Sequence, residues 1–151
     1  MMSEVATGEL HDTVRARLLA VGQRYTHQRR RLVDILTRSG NPLTIPEILR
    51  GRRLPQSSVY RNLGDLERAG VVRRLVTDEE YGRYELSEDL TEHHHHVICS
   101  RCGTVQDLPM RADVERRMEE TLGRLARSVG FAEVSHRLDL IGVCASCAQG
   151  S

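Results

Sequence analysis

His93-His94-His95-His96-Val97-Ile98-Cys99-Ser100-Arg101-Cys102 sets four consecutive histidines directly ahead of a Cys-x-x-Cys pair, and Cys144-Ala145-Ser146-Cys147 uses the remaining cysteines of the chain. A Cys-x-x-Cys loop places two thiolates on one side of a tight turn, and two such loops brought together supply the four sulfurs of a closed tetrahedral zinc site. Cys99, Cys102, Cys144 and Cys147 therefore read as ligands of a structural Zn(II), with no open position for a substrate. A thioredoxin-type dithiol or paired disulfides account less well for two matched pairs. No signal peptide points to the oxidising compartment that disulfides need, so a cytoplasmic location is expected.

The histidine run lies between an acidic segment and a cysteine turn, unlike a terminal expression tag. On a strand from His93 to Ile98, alternate side chains face opposite sides, so His93 and His95 point one way while His94 and His96 point the other. One short segment then feeds two metal sites. Glu115, early in a helix, and His136, alternating with Leu138 and Leu140 on an inward face, complete a set with His93 and His95. Glu85 at the domain junction and Asp107 on the next strand join His94 and His96. Taken singly, these residues read as surface carboxylates or hydrogen-bonded core histidines. Imidazole and carboxylate without thiolate suit Fe(II), Mn(II), Ni(II) or Zn(II), and geometry must choose among them.

The net charge of +1 over 151 residues hides an asymmetry. Residues 1–83 hold 15 Arg against 10 Asp and Glu, and residues 84–151 hold 7 Arg against 11, giving +5 and −4. Lysine is absent, so all 22 basic side chains are Arg, whose bidentate donors match phosphate and guanine edges. With 39% hydrophobic residues and no long apolar run, no membrane span is expected.

Leu10, Val14, Leu18 and Val21 recur at helical spacing; Leu32, Ile35 and Leu36 mark a second helix ending near Ser39-Gly40-Asn41-Pro42. Ile45-Pro46-Glu47-Ile48-Leu49 opens a short third. Ser57 or Ser58 is expected to cap a fourth, which carries Val59, Leu63 and Leu66 and stops at Gly70. Two strands, 71–76 and 82–86, follow around an acidic turn. This is the order of a winged helix-turn-helix, in which the helix after the turn enters the major groove. Its leading stretch offers Arg61 for guanine or phosphate, Tyr60 for thymine methyls, and the Ser57 and Ser58 hydroxyls for the backbone, with Asn62 beside them. The competing reading makes Tyr60 a half-buried helix residue and Arg61 an ordinary exposed charge. Arg24 precedes the second helix, within reach of a phosphate or minor groove, and the neighbouring His27 reads as a surface residue. The carboxyl-terminal part reads as strands 93–98 and 104–108, an amphipathic helix 113–129, and a strand 135–143.

Ser58-Val59-Tyr60-Arg61-Asn62-Leu63, Tyr84-Glu85-Leu86, the stretch from His93 through Cys102-Gly103, and Ser135-His136 ahead of Cys144-Ala145-Ser146-Cys147 together resemble the ferric uptake regulator family of bacterial metal-dependent repressors. The resemblance runs from about Val21 to Cys147. It implies an α+β homodimer: an N-terminal winged helix-turn-helix domain (1–84), a hinge (85–92) and a small α/β dimerisation domain with a four-cysteine zinc site (93–151). It further implies binding to double-stranded, AT-rich, inverted-repeat operator DNA when metallated. The same resemblance puts Cys99, Cys102, Cys144 and Cys147 on structural zinc ligands, and His93, His95, Glu115 and His136 on a site in the dimerisation domain. Glu85, His94 and His96 fall on the interdomain regulatory site, and Asp107 where peroxide sensors add a carboxylate. Tyr60 and Arg61 fall on base contacts, and Arg24 on a minor-groove residue.

Iron-type relatives draw a histidine from the segment that is Asn41-Pro42 here. Their segment corresponding to Glu85–His94 is also about two residues shorter. Zinc sensors place a cysteine where this chain has Ser87 and an acid near Arg73. Fe(II) is the favoured regulatory metal, with Zn(II), Mn(II) or Ni(II) as alternatives and peroxide sensing as a variant. A zinc-dependent hydrolase would need an open coordination position beside a general base and gives the basic helices no role. A thiol oxidoreductase needs a reactive cysteine that a zinc site built from all four cysteines does not leave.

Overall fold

Leucine and valine at i, i+4 spacing build the first part of the molecule. The computed structural model describes residues 4–75, 82–91 and 93–150, and the chain divides after His93 into two compact units. In the first, α1 (Glu4–Ala20) buries Leu10, Val14 and Leu18. The stripe ends there. Val21, expected to continue it, is 45% exposed, because Gly22 at φ 72° closes the helix. The N–H groups of Gly22 and Gln23 donate to the carbonyls of Leu19 and Leu18 at 3.0 and 2.8 Å, a Schellman closure.

The second helix, α2 (His27–Ser39), opens on Thr26, whose side chain accepts from the Arg29 N–H, and buries Leu32, Val33 and Leu36. A two-residue strand, β1 (Leu43–Thr44), leads into α3 (Ile45–Leu49). There Thr44 and Glu47 form a reciprocal capping box, with Thr44 N–H to Glu47 Oε2 at 2.8 Å and Glu47 N–H to Thr44 Oγ1 at 3.3 Å. Next, α4 (Gln56–Arg68) buries Val59, Leu63 and Leu66. It starts at Gln56 after an extended Pro55 and has no side-chain cap, so Ser57 and Ser58 lie inside the first turn, not ahead of it as expected.

Two further strands, β2 (Val72–Leu75) and β3 (Arg83–Leu86), complete an antiparallel sheet in the order β1-β3-β2. Central placement explains why all four residues of β3 are buried. Val76 and the acidic turn lie outside the described residues. A 3-10 turn, Glu88–Leu90, follows β3. Arg17 of α1 ties this end of the unit together: it donates to the Gly70 carbonyl at 2.6 Å and pairs with Asp89.

The second unit contains β4 (His95–Cys99), β5 (Val105–Leu108), α5 (Ala112–Ser128), β6 (Asp139–Gly142) and α6 (Ala145–Gln149). The sheet order is β5-β4-β6, with β4 antiparallel to β5 and parallel to β6, so the chain from β5 through α5 makes the crossover. The strands are shorter than expected: β4 begins at His95 and β6 spans only Asp139–Gly142. His136 therefore precedes a strand, and the inward face expected of its neighbours is not covered. Leu138 is half-buried and Leu140 is 45% exposed, because β6 is an edge strand whose four residues all face solvent in the single chain. No described helix is long and apolar enough to cross a membrane.

Candidate metal centres and nucleic-acid interface

The two cysteine turns are joined by the sheet itself. Gly103 at φ 69° lets the chain reverse after Cys99, and its N–H returns to the Cys99 carbonyl at 2.9 Å. Parallel pairing of β4 with β6 brings Gly142 opposite Cys99, and the Ser100 N–H donates to the Gly142 carbonyl at 2.8 Å. Cys144 opens α6, with its N–H 3.3 Å from Cys99 Sγ, while Arg101 Nη1 donates to the Cys147 carbonyl at 2.8 Å.

The four sulfurs lie within 4.8 Å of one another and are not joined as disulfides. Cys102 and Cys144 Sγ are 3.8 Å apart, matching the roughly 3.8 Å between two thiolates on one tetrahedral zinc with bonds of about 2.3 Å. The Cys144 N–H lowers the Cys99 thiol to about 6, and the Cys102 thiol is also lowered, first by the Thr104 hydroxyl. The Cys144 and Cys102 side chains push Cys147 up to about 12. Four sulfurs this close need a cation before all can ionise.

Beyond the cysteines, β4 serves both of its faces. His95 and His96 are 2% and 0% exposed, adjacent residues buried on opposite sides of one strand. On the first side, Glu115 in the first turn of α5 gives one carboxylate oxygen to each imidazole: Oε2 is 2.8 Å from His95 Nε2 and Oε1 is 2.9 Å from His136 Nε2. The His95 and His136 rings stack with centroids 5.2 Å apart.

On the second side, the His94 and His96 rings stand nearly perpendicular with centroids 4.9 Å apart. His96 also lies directly opposite Asp107 on β5 and Asp139 on β6. Asp139 Oδ1 is 3.1 Å from His96 Nδ1, and Asp107 Oδ1 is 3.9 Å from Nε2. Both donor sets suit a divalent first-row ion by ligand chemistry. Asp139 was not anticipated from sequence. Its place beside His96 comes from the parallel pairing of β6 with β4, which no local spacing signals.

His93 and Glu85 belong to the first unit. His93, half exposed, lies 3.6 Å by Nδ1 from Glu88 Oε2. Glu85, buried on β3, accepts from Arg73 Nε at 3.0 Å and from its Nη2, both at Oε1, while Arg73 Nη1 is 2.9 Å from Glu88.

The surface expected to meet DNA is built around a buried arginine. Arg29 on α2 pairs with Asp65 and donates to Asn62 Oδ1 at 3.0 Å, both on α4, and to the Arg24 carbonyl at 2.5 Å and Gln23 Oε1 at 2.9 Å. This network ties the loop carrying Arg24 to the helix carrying Tyr60 and Arg61. Asn62 takes part in it, donating to Gln28 Oε1 at 3.2 Å and to the Ser58 carbonyl at 2.8 Å, so its amide is engaged within the unit. Arg24, Ser57, Tyr60 and Arg61 are exposed and Ser58 is half-buried.

The ferric uptake regulator family profile matches residues 20–141. The chain is 30% identical to the ferric uptake regulation protein of Bordetella parapertussis, across 86% of this chain and 93% of that one. Identity is also 30% to the peroxide-responsive repressor PerR of Staphylococcus epidermidis, covering 93% and 91% respectively. Among solved structures it superposes on the Helicobacter pylori ferric uptake regulator, described as having three functional metal binding sites, with a TM-score of 0.71, 27% identity, and coverage of 94% and 93%. The four-cysteine cluster, the split histidine strand and the winged-helix unit together agree with these matches: the chain belongs to the ferric uptake regulator family of metal-responsive transcriptional repressors.

Proposed function

We infer that this protein is an iron-type cytoplasmic repressor of metal homeostasis genes, active as a homodimer on AT-rich inverted-repeat DNA. The observation that carries the reading is the burial of adjacent His95 and His96 on opposite faces of β4, each among carboxylates, in the same unit as the four cysteines. Cys99, Cys102, Cys144 and Cys147 would hold a structural Zn(II). His95, Glu115 and His136, joined by His93, would hold a second ion that stabilises the unit. His94 and His96, with Asp107 and, on the sequence resemblance, Glu85, would hold the regulatory ion, Fe(II) in preference to Zn(II), Mn(II) or Ni(II). A divalent cation there supplies positive charge and directional bonds to otherwise separate side chains.

The chain's own residues do the rest. Arg61 and Tyr60 read base edges, Ser57, Ser58 and Arg24 contact phosphate or the minor groove, and Asn62 supports them from within α4. Leu140 and Ile141 on the edge strand β6, and Leu125, Val129 and Phe131 at the end of α5, are exposed apolar side chains that a second copy would cover. Metal and operator then strengthen each other's binding, as linkage requires; a coupling of about 3 kcal/mol is roughly a hundredfold in operator affinity.

Fluorescence anisotropy with an AT-rich inverted repeat, titrated anaerobically with each divalent ion at fixed zinc content, tests the reading. Fe(II) should raise affinity at the lowest free concentration, whereas equal affinity with and without every ion would refute it. The identity to PerR and the two carboxylates flanking His96 favour a peroxide-responsive variant as the second reading. Loss of operator binding by the iron-loaded protein on stoichiometric peroxide would select it.

A further inference from the structure

Strand register places Asp107, His96 and Asp139 in one row across β5, β4 and β6, all on one face. The imidazole at its centre is fully buried, and its two nitrogens meet different partners. Nδ1 lies 3.1 Å from Asp139 Oδ1, a hydrogen-bond distance. A carboxylate has only acceptor sites, so this bond requires the proton on Nδ1, which leaves the lone pair of the neutral ring on Nε2.

On the other side, Nε2 is 3.9 Å from Asp107 Oδ1, too far for a hydrogen bond. It is within the roughly 4.2 Å that can separate two ligands of one ion at bonds of about 2.1 Å. Asp139 thus stands behind the ring and Asp107 ahead of it. Metal-binding histidines commonly use this arrangement, in which the distal N–H donates to a carboxylate that fixes tautomer and ring orientation.

We propose that Asp139 is a positioning residue for the regulatory metal: it holds His96 as the Nδ1-protonated tautomer, with Nε2 aimed at the side occupied by Asp107. The inference rests on the assignment of His96 to the regulatory site and adds to it a carboxylate that does not itself touch the ion. The geometry also gives β6 a role beyond pairing. Any change in the β4–β6 register would move Asp139 off Nδ1 and alter the site without touching a ligand.

The test uses the zinc-loaded full chain carrying His136→Ala, so that the other histidine set does not compete. Two quantities are read: the protonated ring nitrogen of His96 in the metal-free regulatory site, by long-range 1H–15N correlation, and Co(II) affinity, by competition with a chelator. Asp139, on an exposed edge strand, tolerates Asn without a change in volume, and zinc content with circular dichroism checks the fold. His96 should show a protonated Nδ1 and a bare Nε2. Asp139→Leu should remove that tautomer preference and weaken Co(II) by about 10- to 100-fold, with Asp139→Asn between the two and Asp139→Glu partly restoring affinity. A protonated Nε2 in the parent, or parent-like Co(II) affinity in Asp139→Leu while His96→Ala loses Co(II), overturns the positioning role alone. Parent-like Co(II) affinity in His96→Ala overturns the site assignment and this inference together.

Discussion

The first unit buries Val14, Leu18, Leu32, Ile48, Leu63, Leu66 and Val71 almost completely, whereas the most deeply buried side chains described in the second are His95 and His96, with Ile98, Cys99 and Val105 around them. One unit is held by an apolar core drawn from four helices and the sheet beside them. The other buries histidines at its centre, and many of its apolar side chains, including those on β6 and at the end of α5, face solvent. A small sheet with so little apolar burial needs other stabilisation, and metal and a partner copy are the two sources its surface and interior suggest. The units should therefore respond differently to the same insults.

Zinc removal should have the largest effect. Chelation, or Cys99→Ser, should abolish the cooperative unfolding transition of the second unit and dissociate the dimer, while amide signals from α1 to α4 stay dispersed in NMR spectra. A folded, zinc-free Cys99→Ser dimer would break the contrast. Leu63→Ala works in the opposite direction: it empties a fully buried site in α4 and should cost about 2–5 kcal/mol in the first unit only, read by denaturant titration, with zinc content unchanged. Arg61→Ala should leave both units folded and cost about 1–3 kcal/mol of operator preference, with weak binding to random DNA retained. Equal losses on operator and random DNA would make Arg61 a phosphate contact.

The pH dependence of zinc binding sharpens the same contrast. With Cys147 pushed up to about 12, zinc must displace at least that proton at neutral pH, so affinity rises with pH. Cys99, lowered to about 6, is already a thiolate at neutral pH and adds a further proton to displace only as pH falls below about 6. The slope of log affinity against pH should therefore steepen on the acid side. Competition titrations across that range check it, and a constant slope would contradict it.

What was legible in the sequence divides along the same boundary. Local period carried the first unit: Leu10, Val14 and Leu18 on α1 and Val59, Leu63 and Leu66 on α4 are spacings that a single helix enforces. It failed where local signals compete. Val21 matches the stripe but follows a glycine closure, Ser57 and Ser58 look like caps but fall inside a helix opened by Pro55, and β1 is too short to show a period. In the second unit, alternation along the strand that carries the histidines separates His95 from His96 in the sequence itself. Asp139 was missed because its place beside His96 depends on the parallel register of β4 with β6, a pairing between residues 43 apart that no local pattern encodes.

The central claim is that one strand feeds two sites with different tasks. Metal titration of operator binding by His94→Ala/His96→Ala, beside His93→Ala/His95→Ala, tests it most directly. The first variant should retain its cysteine-bound zinc and its dimer yet lose the roughly hundredfold metal response. The second should respond to metal but unfold more readily. A parent-like metal response from His94→Ala/His96→Ala would contradict the account and assign the regulatory role to the face of His95, Glu115 and His136.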